Sequence, residues 1–452
     1  MKRISNLSDI TVAFDTLGCA KNLCDTNTMK DILISSRVKV TDDIDLCDCI
    51  ILNTCAFIQS ATQESVDTFF DYKNTYPNKK IIVSGCMCSR YKDKLETSLI
   101  EADAFVKCND EDKILNYIKK IFNLDNTSIV NKKENLNSQE NTTDNSKYVC
   151  SYVKISDGCN RQCSYCMIPK IRGKHKSTKY TDIKDDVINK IKHGAKEIVL
   201  VAQDCGSWGI DLNSKELNNI TCSFNLAWLL DNLAFEFKDT YFRVLYIQPD
   251  AINKNLIYVI KKHQNLVNYF DIPIQHVSQD ILKNMNRGSN QSYIESKIKL
   301  IKSIIPEATL RTTLIAGFPG ETDKDFNELV EFLNKSYFDY CGVFKYSDEE
   351  GSESSKLKNK IDDETISKRA NLLQDVCDSI AIDKLDKKIQ NIYKVLILGY
   401  EDGRLYGRAS FQAPDVDGVV FIDKYNFKPE IGDIVNIKII STEMYDLVGK
   451  IL

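Results

Sequence analysis

The chain has 452 residues, 43% hydrophobic and 27% charged, with 16 cysteines and a formal charge of −4. These proportions are those of globular protein and exclude collagen-like or wholly disordered chains, while the length suggests about three domains of ~150 residues. The slight acidity disfavours a protein that coats nucleic acid, and the cysteines are too many for inert packing in a chain too long for a disulfide-stapled miniprotein.

Met1-Lys2-Arg3 leads into no apolar run, because Ser5, Asn6, Ser8 and Asp9 interrupt it. No signal peptide is therefore expected, and no run of ~20 apolar residues predicts a membrane span. The expected setting is cytoplasmic and reducing, where clustered cysteines point to metal ligands or reactive thiols. Cys222, Cys341 and Cys377 stand singly among mixed residues and suit small buried hydrophobes.

Residues 1–122 alternate short apolar runs at 11–14, 49–52, 80–83 and 104–106 with helically spaced segments such as 61–72 and 110–122. Strands alternating with helices predict a doubly wound parallel sheet. Residues 123–147, rich in Asn, Ser, Thr, Lys and Glu, read as a polar linker. From 148 to 391 a second series places strands at 152–155, 197–202, 242–247, 269–274, 310–316 and 342–346, with helical pattern after each. Six βα units fall short of a closed eight-stranded barrel, so a partial (βα)6 barrel is expected, with its chemistry at the carboxyl ends of the strands. Residues 392–452 hold apolar runs at 394–398, 418–421 and 434–439 with turns at Asp402-Gly403, Asp417-Gly418 and Gly432-Asp433. That pattern predicts a small OB-like β-barrel and completes an α/β multidomain chain.

The sharpest local signal is Cys159-Asn-Arg-Gln-Cys163-Ser-Tyr-Cys166, directly after the first strand of the barrel series. Three thiolates on one loop can bind three irons of a 4Fe–4S cluster and leave the fourth iron open to a small molecule. Zinc is the competing reading; it wants a fourth ligand, for which His175 is the nearby candidate. A second group is dispersed: Cys19, Cys55 and Cys86 each follow a candidate strand of the N-terminal sheet. The carboxyl ends of parallel strands share one edge, so these three can converge on one object. Gly18 and Gly85 suit tight turns that bring backbone close to it. Cys24, Cys47, Cys49, Cys88 and Cys108 are rival ligands, and Cys88 is foremost, two residues from Cys86.

The Cys159, Cys163 and Cys166 spacing at the head of a six-unit βα series resembles the radical S-adenosylmethionine (AdoMet) superfamily. With Cys19, Cys55 and Cys86 upstream and a β-barrel tail, the chain resembles the methylthiotransferases, which join an N-terminal methylthiotransferase domain, a radical-AdoMet partial barrel and a TRAM domain. Within them it is most similar to the RimO-type branch, which modifies small-subunit ribosomal protein number twelve. The stretches that carry this are TLGCAKNL at 16–23, NTCAFI at 53–58, VAQD at 201–204 with WGID at 208–211, and FDIPIQH at 270–276. They continue with RTTLIAGFPGETDKDF at 311–326, VFKYS at 343–347 and GRASFQAPDVDGVV at 407–420. Departures are Cys24 where the family has an apolar residue, Asn27 for a glutamate, Cys205 near a usual hydroxyl, and the doubled thiol of Cys86-Met87-Cys88, where the family pattern favours Cys86.

The resemblance implies two 4Fe–4S clusters, one on Cys159, Cys163 and Cys166 that binds AdoMet and one on Cys19, Cys55 and Cys86. It implies cleavage of AdoMet to a 5′-deoxyadenosyl radical, hydrogen removal from the β-carbon of an aspartate, and transfer of a methylthio group. Tyr165, Gly317, Gly320, Glu321 and Gln275 are the implied AdoMet contacts, each with a plain packing or turn reading beside it; His276 is read first as a packing residue. The basic run 172–179 reads as a solvated face or a contact to AdoMet or ribosomal RNA. Residues 394–452 hold nine Asp and Glu against seven Lys and Arg. An acidic barrel suits a basic ribosomal protein better than tRNA, the substrate of the sister branch. A flavodoxin or ferredoxin is the expected electron donor.

Overall fold

The computed structural model describes residues 4–124, 149–212, 224–424 and 428–452. Cys222 and all but the first two residues of the expected linker lie outside the described residues. The chain forms two compact units. The first holds the described residues up to 124 with Gly158–Arg161 and Cys166–Lys174; the second holds 149–157, 162–165 and the described residues of His175–Leu452.

In the first unit, β1 (Thr11–Thr16), β2 (Lys39–Thr41), β3 (Cys49–Thr54), β4 (Lys80–Gly85) and β5 (Ala104–Lys107) form one sheet in the order β2-β1-β3-β4-β5. Every pairing is parallel. Side chains alternate between the two faces of β3: Cys49 and Ile51 enter the core beneath α1 (Ala20–Ser35), while Ile50 and Leu52 enter the core beneath α2 (Gln59–Thr75). All four are fully buried, and each large aliphatic side chain stabilises the sheet by ~1.5–3 kcal/mol. Apolar residues on both faces of a parallel strand are what a doubly wound sheet requires. β2 was not expected: three residues, none of them buried, give too short a pattern to read.

In the second unit, β6 (Cys150–Lys154) is followed by the short antiparallel pair β7 (Ser156–Asp157) and β8 (Lys176–Ser177). The barrel then continues through β9 (Glu197–Val201), β10 (Tyr241–Val244), β11 (Tyr269–Asp271), β12 (Thr309–Ala316) and β13 (Tyr340–Lys345). Two parallel three-stranded runs, β10-β9-β6 and β11-β12-β13, are bridged where the Ile247 N–H donates to the Asp271 carbonyl at 2.9 Å. All six expected barrel strands are present. β11 ends earlier than its apolar run because Pro273 has no N–H to offer the ladder. The chain stays close to β12 through a parallel bridge between Gln275 and Leu314.

β14 (Ile392–Glu401), β15 (Arg404–Ala409), β16 (Val420–Lys424), β17 (Ile434–Glu443) and β18 (Asp446–Ile451) close into a barrel in the order β14-β15-β16-β18-β17. Asp402 and Gly403 both take positive φ, +48° and +79°, the two-residue turn whose twist matches its strands. The loop after β15 reaches the amino ends of the partial-barrel strands. Arg408 and Arg243 both pair with Glu197, Tyr152 donates to Asp415 at 2.5 Å, and Tyr269 donates to Asp417 at 2.6 Å. Burial works against ionisation of Glu197, but the Arg408 and Arg243 charges outweigh it and its carboxyl is lowered to about 2. The GRASFQAPDVDGVV stretch therefore joins the small barrel to the partial one.

Candidate metal and cofactor site

Within the first unit, each strand-end cysteine is placed by the strand before it. Cys19 caps α1 with extended backbone (φ −113°, ψ 170°), and Cys86 opens α3 (Cys86–Tyr91) behind Gly85 at φ +90°. Cys55 follows β3, its N–H donating to Ser65 Oγ at 3.2 Å. A Cβ on Gly18 would stand 2.7 Å from Cys55 Cβ and 3.0 Å from its sulfur, so only glycine lets the Cys19 turn close over Cys55. Asn22 holds the centre: its Oδ1 lies 4.0 Å from the Cys19 sulfur and 3.7 Å from the Cys86 sulfur. Desolvation in this recess raises the Cys19 thiol, but Lys21, the Asn22 backbone N–H and Arg172 together leave it lowered. Cys55 is raised, chiefly by burial.

The rival cysteines separate by position. Cys47 and Cys49 stand at the opposite, amino-terminal end of β3, and Cys24 is buried within α1. Cys88 turns back on its strand, its sulfur 3.2 Å from the Val83 carbonyl, and burial pushes its thiol up. Cys108, after β5, remains at the edge with its sulfur 4.0 Å from that of Cys86. Among the described residues no three Cys, His, Asp or Glu side chains form a ready single-ion site. The edge instead offers soft sulfurs spread around Asn22, a donor set suited to iron–sulfur ligation.

The loop cysteines are all partly exposed between β7 and β8. Cys159 N–H donates to the Gly173 carbonyl at 3.1 Å, and its sulfur accepts the Arg161 N–H at 3.4 Å. A Cβ on Gly158 would meet the Lys174 carbonyl at 2.3 Å, so this turn also requires glycine. His175, the candidate fourth zinc ligand, is instead buried beside Ser177 Oγ at 3.1 Å and 3.5 Å from Asp211. Arg172 overturns the reading of 172–179 as a uniformly solvated face: its side chain is 1% exposed and pairs with Asp25 at 2.7 Å. Lys174, Lys176 and Lys179 are exposed as expected.

Within the second unit, Cys163 lies 3.8 Å from Arg287 Nη1, which also donates to Gln248 at 2.6 Å and, through Nη2, to the Pro273 carbonyl. Ser164 binds the same turn, its N–H reaching the Met285 carbonyl at 3.0 Å and its Oγ the Asn284 carbonyl at 2.7 Å. Tyr165 packs beside Ile281, Met285 and Phe318. Gly317 and Gly320 follow β12 at φ +80° and +89°; a Cβ on Gly317 would strike Ile366 at 2.4 Å, whereas one on Gly320 would stand at ordinary contact distance, 3.9 Å, from Asn284 Nδ2. Gln275 holds a positive φ of +70°, a conformation costly for a side-chain-bearing residue. Glu321 is wholly enclosed: Arg369 donates to it at 2.8 Å and the Gly317 N–H at 3.0 Å. Its carboxylate fixes the turn that carries both glycines. His276 is equally enclosed, accepting the Ser278 N–H at 3.0 Å with its Nε2 3.5 Å from Glu321. Sequence reasoning missed Asn22, Arg172, Gln248 and Arg287 as members of these surroundings; Asn22 lay inside the 16–23 stretch and Arg172 opened the basic run 172–179, whereas Gln248 and Arg287 lay in no stretch singled out.

Three family profiles match: uncharacterized protein family UPF0004 at residues 11–107, the radical SAM superfamily at 153–333 and the TRAM domain at 390–452. The chain is 39% identical to the ribosomal protein uS12 methylthiotransferase RimO of Clostridioides difficile (strain 630), over 98% of this chain and 99% of that one. The chain belongs to the RimO family of radical AdoMet methylthiotransferases. The RimO of Natranaerobius thermophilus is 38% identical over 97% and 98% of the two chains. Among solved structures, the radical AdoMet methyltransferase TsrM of Kitasatospora setae matches with a TM-score of 0.53, 11% identity and 74% of each chain covered, a likeness of fold alone. RimO-family membership makes this an enzyme that uses a 4Fe–4S cluster and AdoMet. No helix among the described residues is long and apolar enough to cross a membrane.

Proposed function

We propose that the protein transfers a methylthio group to the β-carbon of an aspartate in small-subunit ribosomal protein uS12. Similarity along almost the whole chain to relatives bearing that name carries the reading. The strand-end placement of Cys19, Cys55 and Cys86 supports it, because a single-cluster AdoMet enzyme needs no second triad. Cys159, Cys163 and Cys166 would hold the AdoMet-binding cluster, and Cys19, Cys55 and Cys86 a second. The bound clusters and AdoMet supply the radical that removes the substrate hydrogen and the sulfur that is transferred.

The chain's own residues bind, orient and exclude water. Arg287 places positive charge beside Cys163, and Ser164 fixes the middle of the cysteine loop. Tyr165 and the positive-φ backbone at Gly317, Gly320 and Gln275 are the proposed AdoMet contacts; Glu321 acts behind them by holding the turn. The mildly acidic TRAM barrel suits a basic ribosomal protein, and exposed Lys174, Lys176 and Lys179 suit ribosomal RNA. A flavodoxin or ferredoxin is the proposed electron donor, in a cytoplasmic setting. Anaerobically reconstituted enzyme with AdoMet and a strong low-potential reductant should release 5′-deoxyadenosine, and Cys163→Ala should not. Silence from wild type with both clusters verified by iron and sulfide analysis overturns the reading.

A further inference from the structure

The basic side chain of Arg172 is buried against the very edge that carries Cys19, Cys55 and Cys86. Its Nη2 donates to Asn22 Oδ1 at 2.8 Å and to Asp25 Oδ2 at 2.7 Å, with the Arg172 and Asp25 side chains 1% and 2% exposed. Asn22 cannot turn away. Its Nδ2 donates to the Leu17 and Thr54 carbonyls at 2.9 and 3.1 Å, and its own carbonyl accepts from Asn53 at 2.8 Å. Its Oδ1 is thereby fixed at 4.0 and 3.7 Å from two sulfurs. An amide oxygen is negative, and left alone it would repel thiolates; a guanidinium bound to it reverses that repulsion. As plain architecture, a buried ion pair gives little over an apolar pair of similar volume. Beside three thiolates, a buried cation has work that an apolar pair cannot perform.

We infer that Arg172 is a positioning residue for the N-terminal cluster: it holds Asn22 between two ligand sulfurs and supplies the buried positive charge that keeps the cluster reducible. The inference rests on the reading that Cys19, Cys55 and Cys86 hold a second cluster. Three thiolates outweigh the charge of an oxidised 4Fe–4S core, and reduction adds a further negative charge. Net charge and hydrogen bonding near the sulfurs are what set such a potential. Asp25 opposes Arg172 electrostatically while anchoring it.

The test uses the full chain with Cys159, Cys163 and Cys166 changed to Ala, reconstituted anaerobically with iron and sulfide and titrated by EPR. Iron and sulfide in this parent come first: a parent without a cluster overturns the second-cluster reading and this inference with it. Given a cluster, Arg172→Met should shift the midpoint potential down, and Arg172→Lys should recover most of the shift. Asp25→Asn, which keeps the cation and removes its counter-charge, should shift the potential up. A merely structural pair would lower the thermal unfolding midpoint in both Arg172→Met and Asp25→Asn without opposite shifts in potential. Potentials unchanged, or moved in the same direction, in a loaded parent overturn the role of Arg172 alone. If Arg172→Met does not fold, Asp25→Asn decides: an upward shift supports the inference and its absence overturns it.

Discussion

Gly18 is the residue on which the N-terminal triad turns. Alanine there would hold φ near +93° at a cost of ~1–3 kcal/mol and push its Cβ into Cys55. Iron bound by the chain lacking the loop cysteines is expected to fall several-fold with Gly18→Ala and to vanish with Cys86→Ala. Cys88→Ala should leave it unchanged, because that sulfur faces the Val83 carbonyl. Equal loss with Cys88→Ala would assign the third ligand to Cys88. Spacing made the six proposed ligands legible, since cysteines recur at strand ends and after tight glycine turns. Arg172 was illegible for a physical reason: its partner Asp25 is 147 residues away, and a run of Arg, Lys and His reads the same in sequence whether one member is buried or none. The partners of Glu321 were equally illegible, because a motif position says nothing about which way a carboxylate points.

The elements were legible wherever apolar residues repeat with the period of the structure. β3, β4, β9 and β12 lie in such runs, whereas three-residue β2 and Pro-truncated β11 do not give enough pattern to set their ends. The charged residues inside those runs mattered more than the sequence suggested. Glu197 opens β9, fully inside the structure, because Arg243 on β10 and Arg408 on β15 meet it there. Its folded carboxyl, lowered to about 2, lies below the ordinary value of 4.5. The stabilisation is therefore complete above about pH 4.5 and is lost as pH falls towards about 2, in all roughly 3 kcal/mol. Glu197→Gln leaves two buried guanidinium groups without their counter-charge and should destabilise by ~3–5 kcal/mol at neutral pH. Urea unfolding followed by circular dichroism should show that loss shrinking as the pH is lowered through this window. A pH-independent difference would contradict the ion network. The same contacts give the 407–420 stretch a role inside the chain: Arg408 and the Asp417 carboxylate serve the barrels, so they are not available to a partner.

At the scale of the whole chain, three segments carry three tasks: a doubly wound sheet with a cysteine edge, a partial barrel with a cysteine loop, and a small closed barrel. Length suggested about three domains, whereas the chain forms two compact units; the alternation of strands and helices anticipated the parallel sheet and the partial barrel. What the two cysteine groups are proposed to do together was legible only through resemblance, because spacing points to candidate ligands and not to the atom that would receive sulfur. Tandem mass spectrometry of uS12, after reaction with the fully loaded enzyme, AdoMet, sulfide and reductant, reads that delivery directly. A single aspartate carrying a methylthio group on its side chain is the expected result. An unmodified uS12, together with methylthio-adenosine in tRNA treated in parallel, would contradict it.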